Sequence, residues 1–208
     1  MSGSLNLMDR LFRRMFYHSR LREFDLPEHR VGWRSRSNQE ARFGALVRVA
    51  DLEGKRILDV GSGLGCLYGY LRNRGWKGDY TGFDILGAMV TEARLRFPGV
   101  RFDKRDLAEE ARSRDPDEKW DVILMSGVFN HLVHDNLAQV REVVGAAWGL
   151  AREALAFNIL HLETGWRDPE MYYMKDEDLE KVVSEIAPAR REFVTGYLPE
   201  DITVYMYK

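Results

Sequence analysis

Apolar positions in this chain follow two rhythms. At the N-terminus Leu7, Met8, Leu11, Phe12, Met15 and Phe16 recur at intervals of three and four, with Arg10, Arg13 and Arg14 between them. That pattern predicts an amphipathic helix. Its apolar face is expected to pack on the main domain, in preference to a membrane or partner surface. From Arg20 to Arg36 the pattern lapses into an arginine-rich stretch broken by Pro27 and Gly32. Those arginines could meet an anionic substrate or RNA, but Asp9, Glu23, Asp25 and Glu28 dilute them, and a solvated surface is expected. Ser37 or Asn38 should cap a second helix, with Phe43, Leu46, Val47 and Ala50 inward.

From Lys55 the rhythm changes. Ile57, Leu58 and Val60 read as a buried strand, Gly61, Gly63 and Gly65 as a turn, and Leu64, Leu67, Tyr68 and Leu71 as a helix. Tyr80 to Asp84 and Val100 to Phe102 are short strands separated by the helical AMVTEARLRF. Val122 to Met125 is an unbroken apolar run, suited to a central parallel strand covered on both faces. Asp135 or Asn136 begins a helix reaching about Arg152, EALAFNIL is a fifth strand, and DEDLEKVVSEI is a helix with acids in its first turn. The end of the chain reads as two strands around Pro199. Alternating strands and helices argue for a parallel sheet. The short connection between the last two strands forbids a parallel pairing, so the final strand should run antiparallel.

Composition narrows the classes. Of 208 residues, 45% are hydrophobic and 31% charged, which describes a globular chain. A net charge of −2 offers no general attraction to nucleic acid. The single cysteine, Cys66, leaves no disulfide framework and no cysteine-built zinc site, so a cytoplasmic setting is expected. Cys66 itself reads as a small buried residue. No segment is apolar enough for a signal peptide or a membrane span, and no carboxylate–histidine cluster suggests a metal.

Chemistry concentrates around the glycine-rich turn. Gly61 and Gly63 can take backbone angles closed to other residues and so let the chain approach a ligand. Asp84, about 20 residues beyond the last loop glycine, can accept hydrogen bonds from both hydroxyls of a ribose, or cap the following helix.

The stretches ILDVGSGLG, GFDI, RFDKRDL and WDVILMSGVFNHL, with the terminal DITVYMYK, resemble in order and spacing the class I S-adenosylmethionine-dependent methyltransferases. The likeness runs from Ser37 to Lys208, and residues 1–36 are expected to form a helical lid on a 37–208 methyltransferase domain. The resemblance implies a seven-stranded Rossmann-like sheet ordered 3-2-1-4-5-7-6, last strand antiparallel, with helices on both faces. It implies S-adenosylmethionine as cofactor, with Gly61, Gly63 and Gly65 against the ribose and methionine portion. Asp59 would touch the methionine ammonium or else brace the loop. Asp84 would take the ribose, Ile85 and Leu107 the adenine, and Asp106, in competition with Asp103, its amino group. Ser126 and Gly127 would lie near the methyl group.

On the second helix Arg42 or Gln39 could hold the methionine carboxylate, since a guanidinium suits a carboxylate. Tyr17 and Trp33 are lid candidates. His131 is the first candidate for a substrate-side general base, or a histidine packed under the cofactor, and His161 is the second. Tyr172 and Tyr173 could wall an acceptor pocket. Ser126-Gly127-Val128-Phe129 stands where base and glutamine N-methyltransferases often carry Asn/Asp-Pro-Pro-Tyr. That argues against this subgroup and leaves oxygen, other nitrogen, sulfur and carbon acceptors open. A small-molecule methyltransferase is the leading reading. A non-catalytic cofactor-binding scaffold, an RNA methyltransferase and an NAD-dependent oxidoreductase are the alternatives. Against the oxidoreductase stand the G-x-G-x-G spacing and the presence of Asp106.

Overall fold

The computed structural model describes residues 5–110, 118–161 and 167–208. Seven strands form one sheet: β1 (Arg56–Val60), β2 (Asp79–Asp84), β3 (Arg101–Lys104), β4 (Trp120–Met125), β5 (Ala151–Leu160), β6 (Arg190–Val194) and β7 (Asp201–Tyr207). Their spatial order is 3-2-1-4-5-7-6. β1 lies parallel between β2 and β4, while β7 pairs antiparallel with β5 on one side and β6 on the other. The expected topology is therefore the observed one, including the reversed last strand.

Side chains alternate across a strand, and each face of the sheet carries its own core. Leu58 and Val60 of β1 join Ile123 and Met125 of β4 and Leu155 and Phe157 of β5 on one face. That face is covered by α7 (Asn136–Leu150) and α8 (Asp176–Ile186). Ile57 joins Val122, Leu124 and Ala156 on the other, under α3 (Arg36–Leu46), α4 (Cys66–Arg72) and α5 (Gly87–Arg96). Two four-residue helices, α2 (Pro27–Arg30) and α6 (Leu107–Glu110), complete the set with α1 (Leu7–Glu23).

Boundaries follow local chemistry. Ser35, two residues before the expected Ser37, caps α3 by accepting from Asn38 N at 3.2 Å. Asp135 caps α7 by accepting from Ala138 N. α1 opens with a reciprocal pair: Asn6 accepts from Asp9 N, and Asp9 accepts from Asn6 N.

The orientation of α1 corrects the expectation from its pattern. Leu7, Met8, Leu11, Phe12 and Met15 all face outward, Leu7 and Met15 at 71% exposure. The buried residue of this helix is Arg13, at 6%. The polar face is turned in because it covers the mouth of a polar cavity at the carboxyl edge of the sheet, not a sheet face.

Candidate active site

The cavity lies where β1, β2 and β4 end. Asp59, Gly61, Ser62 and Gly63 line it from β1 and its loop, Asp84 and Ile85 from β2, and Ser126, Gly127 and Val128 from β4. Asp106 and Leu107 close one end. Arg10, Arg13 and Tyr17 of α1 lie across the opening, with Trp33, Gln39 of α3 and Gln139 of α7 completing the wall. Ligands of open α/β sheets gather at this edge.

The loop glycines all have positive φ, at 76° for Gly61, 52° for Gly63 and 71° for Gly65. At Gly61 a Cβ would stand 2.7 Å from Val128 Cγ2, so only glycine lets the loops after β1 and β4 close together. Gly65 differs from the expectation. A Cβ there would meet Phe97 and Phe102, and the residue does not line the cavity. It sets the start of α4 against an aromatic cluster, so contact with a ligand is not its role.

Asp84, not Asp59, braces the glycine loop: its Oδ2 accepts from Gly63 N at 2.9 Å and its Oδ1 from Leu86 N at 2.8 Å. Burial still raises its pKa, against the pull of those two N–H groups. The helix after it has no side-chain cap, so Asp84 does not cap α5. Asp59 accepts from the Tyr80 hydroxyl, and burial pushes its pKa up to about 7. Asp106 lines the cavity with its Oδ1 on Ala108 N and its Oδ2 held by Arg10 Nη1 at 2.8 Å. Asp103 is instead engaged by Arg94 and Arg101 outside the cavity, which removes it as a competitor.

His131 and Tyr17 meet across the opening, Tyr17 Oη lying 2.9 Å from His131 Nε2. Burial, with the charges of Arg13 and Arg20, lowers the His131 pKa to about 4, and burial pushes Tyr17 up to about 12. At neutral pH the imidazole is thus uncharged and the phenol protonated, so the hydroxyl can donate to Nε2. A conjugate acid near 4 makes His131 a weak proton acceptor, better placed to orient than to deprotonate.

Several candidates fall elsewhere. Arg42, expected at a cofactor carboxylate, is buried in an ion pair with Asp201 of β7, its Nε 2.7 Å from Oδ1, and its guanidinium stacks on Trp33 at 4.2 Å. It is thereby corrected to a structural residue that backs the Trp33 wall. Gln39, the other residue of that pair, does line the cavity. His161 does not. Its Nδ1 lies 3.5 Å from Asp176, and its backbone bonds to Glu200. Tyr172 and Tyr173 do not line the cavity either: Tyr172 packs on the core and Tyr173 Oη accepts from Asp168 N. Residues 162–166, which precede these tyrosines in the connection after β5, lie outside the described residues. Burial raises the Cys66 thiol, so it stays protonated and is no nucleophile. Among the described residues no group of three acids, histidines or cysteines could hold a metal, and no helix is long and apolar enough to cross a membrane.

Among the lining residues that escaped the sequence reading are Ser62, Arg13 and Gln139. With Ser126 they share a property. Ser62 Oγ, Ser126 Oγ, Gln139 Oε1 and Arg13 Nε and Nη2 are buried with no hydrogen-bond partner among the described residues. Buried polar groups are normally satisfied, and each orphan costs on the order of 1–3 kcal/mol. Their convergence on one cavity is what a polar ligand would relieve. The signal in the sequence was Gln139 interrupting the run around Val140, Val143 and Val144 on the inner face of α7.

Comparison with known proteins agrees with this geometry. Residues 58–153 match a family described as Methyltransferase domain. Rv1506c of Mycobacterium tuberculosis, named as a methyltransferase, is 34% identical over 108 residues, half of this chain and 62% of its own length. A ubiquinone biosynthesis O-methyltransferase of Stutzerimonas stutzeri is 26% identical over 125 residues, covering 55% of this chain and 52% of the relative. The chain thus spans little more than half the length of these relatives. In structure it resembles the magnesium protoporphyrin IX methyltransferase of Synechocystis PCC 6803 with bound SAH. The TM-score is 0.67 at 18% identity, covering 96% of this chain and all of that one. It also resembles a SAM-dependent methyltransferase of Archaeoglobus fulgidus, with TM-score 0.65 at 15% identity, covering 87% and 97%. Sheet order and structural likeness thus give this chain the fold of the S-adenosylmethionine-dependent methyltransferases, and residues 58–153, a little under half of it, match the Methyltransferase domain family.

Proposed function

We propose that the protein transfers the methyl group of S-adenosylmethionine to a small-molecule acceptor, leaving S-adenosylhomocysteine. The observation that carries this reading is the convergence of unpartnered buried polar atoms with three carboxylates in one cavity. Ser62, Ser126 and Gln139 supply unfilled hydrogen-bonding positions beside Asp59, Asp84 and Asp106. That donor and acceptor set suits a nucleoside with an amino-acid tail. S-adenosylmethionine is the neighbours' ligand by name, and when bound it supplies an electrophilic methyl on a sulfonium.

The chain's own residues then divide the work. Asp84 keeps acceptor positions beyond Gly63 N and Leu86 N for ribose hydroxyls. Asp59 and Gln39 face the methionine end, and Ile85 and Leu107 flank the adenine. Asp106 can take the adenine amino group only by sharing Oδ2 with Arg10 or releasing it. α1, within the 1–36 extension, acts as a lid, excluding water by laying Arg13 and Tyr17 over the opening. In-line displacement needs alignment above all, and positioning can supply much of the rate. His131, neutral and bonded to Tyr17, orients the lid side of the site. The relatives' names, a ubiquinone pathway enzyme and a porphyrin methyltransferase, favour a small acceptor over RNA.

Calorimetry with S-adenosylmethionine and with NAD tests the cofactor: binding of the first and not the second is expected, and the reverse would sink the reading. Release of S-adenosylhomocysteine across a metabolite panel tests turnover. Binding without release under every acceptor would favour a cofactor-binding scaffold.

A further inference from the structure

Arg13 is the least explained residue in the molecule. It sits at 6% exposure on the inward face of α1, lines the cavity, and leaves Nε and Nη2 without partners among the described residues. The carboxylates around it are occupied. Asp9 is held by Asn6 N and by His134 N at 3.0 Å. Asp84 is held by Gly63 N and Leu86 N, and Asp106 by Arg10 and the N–H groups of Ala108 and Glu109. A buried charge left unpaired is among the most costly arrangements in a protein. α1 had an apolar face available and turned it to solvent, so this guanidinium is placed for something that arrives.

Two free N–H groups on one planar guanidinium match the two oxygens of a carboxylate. The position also matters. Arg13 lies one helical turn before Tyr17 on α1, and Tyr17 Oη is 2.9 Å from His131 Nε2 in the loop after β4. It therefore stands on the lid side of the cavity, with His131. Val31, Val128 and Val143 line the same cavity, so its wall offers apolar surface for the body of a molecule whose anionic group meets Arg13.

Resting on the methyltransferase reading of this cavity, we propose that the acceptor bears a carboxylate and that Arg13 is the residue that holds it. The lid thus selects the substrate as well as covering it: an acid gives Arg13 Nε and Nη2 their missing partners, and a neutral analogue does not.

The test uses the full chain loaded with S-adenosylhomocysteine, with benzoate and benzamide as matched probes, in the wild type, Arg13→Met and Arg13→Lys. Benzoate should bind the wild type at least tenfold more tightly than benzamide. Arg13→Met should abolish that preference, and Arg13→Lys, which keeps the charge without the fork, should retain part of it. S-adenosylhomocysteine affinity should stay within about twofold in both variants, which also shows that they are folded. Equal binding of the two probes to the wild type, or an unchanged preference in Arg13→Met, would overturn the proposal. So would a loss of S-adenosylhomocysteine affinity in Arg13→Met that disappears with decarboxylated S-adenosylhomocysteine, because the carboxylate would then be the cofactor's own. Failure of the wild type to bind S-adenosylhomocysteine at all is a separate result. It strikes the cofactor reading, and benzoate against benzamide on the unloaded protein would still judge Arg13.

Discussion

α1 and α8 carry the same kind of pattern and use it in opposite senses. α8 places Leu179, Val182 and Val183 in the core beneath it and leaves its acids in solvent, with Asp176, Glu177 and Asp178 at its first turn. α1 leaves Leu7, Met8, Leu11, Phe12 and Met15 in solvent and turns Arg10, Arg13 and Tyr17 toward the protein. Periodicity states that a helix has two unlike faces. Which face the protein takes depends on what lies opposite: an apolar sheet face for α8, a polar cavity lined by Asp84 and Asp106 for α1.

The contrast can be broken by truncating equivalent leucines. Leu179→Ala removes a fully buried side chain and should cost about 2–5 kcal/mol. Leu11→Ala, on the outward face of α1, should fall within about 0.5 kcal/mol. Urea midpoints measure both, and comparable losses would mean that the outward face of α1 is covered in solution. On the inward face the sign should reverse. Arg13→Met replaces an unpartnered buried cation with an apolar chain of similar length, and the ligand-free protein should gain about 1–3 kcal/mol. A stability loss would show that Arg13 has a partner the free protein already satisfies.

Most of the fold was legible because it rests on local pattern. β-period runs, helix lengths and the short connection before β7 suffice for a parallel sheet with a reversed last strand, the order of its strands was implied by the family resemblance, and α8 falls on DEDLEKVVSEI as read. The glycine loop and Asp84 were legible for the same reason, being ordered by spacing within one half of the chain, whereas Asp106 was implied by the family resemblance. What was missed depends on contacts between distant segments. Arg42 was expected at a cofactor carboxylate, but its partner Asp201 lies 159 positions away, on a strand whose pairing with β5 brings it there. Likewise, nothing near Arg13 states that the face opposite is polar, and nothing near His161 states that it turns from the cavity toward Asp176.

His131 lets the electrostatics of the lid be read by pH. Its folded pKa of about 4 lies below the ordinary 6.5, so between these values the unfolded chain binds more protons. Stability from this group is complete above pH 6.5 and is lost as pH falls toward 4, with a slope below about 1.4 kcal/mol per pH unit. Asp59 acts oppositely. Raised from 3.8 to about 7, it favours the folded state at low pH and loses that contribution as pH rises through this range. The two oppose each other between 4 and 6.5, which flattens the wild-type profile. The difference between wild type and His131→Asn isolates the histidine: it should climb from pH 4 to 6.5 and then level. A difference independent of pH would mean that the imidazole is not desolvated under α1. In an Arg13→Met background the climb should shrink, since one of the charges depressing the histidine is gone.

The smallest expected effect concerns how α1 is fastened. Arg10 bridges Asp106 and Glu109, at 2.8 and 2.9 Å, with about a third of its side chain in solvent. Such a partly exposed pair contributes little to stability, about 0.2–1 kcal/mol, so Arg10→Ala should scarcely move the urea midpoint, whereas truncation of Leu179 should move it far. Binding kinetics should respond more clearly. On the proposed function Arg10 would tie down the lid, and it also occupies Asp106 Oδ2, which the adenine amino group would need. Removing it loosens the cover and frees the acceptor together. Loss of that interaction corresponds to rate changes of about two- to fivefold. Association and dissociation of S-adenosylhomocysteine should therefore both accelerate by about that factor, while Kd changes by less than about twofold. Stopped-flow fluorescence, with Trp33 in the cavity wall as reporter, can follow both rates. If only dissociation accelerates, Arg10 is a latch without competing for Asp106. If neither rate changes, α1 does not control entry to the cavity, and its inward polar face serves only to fill the opening.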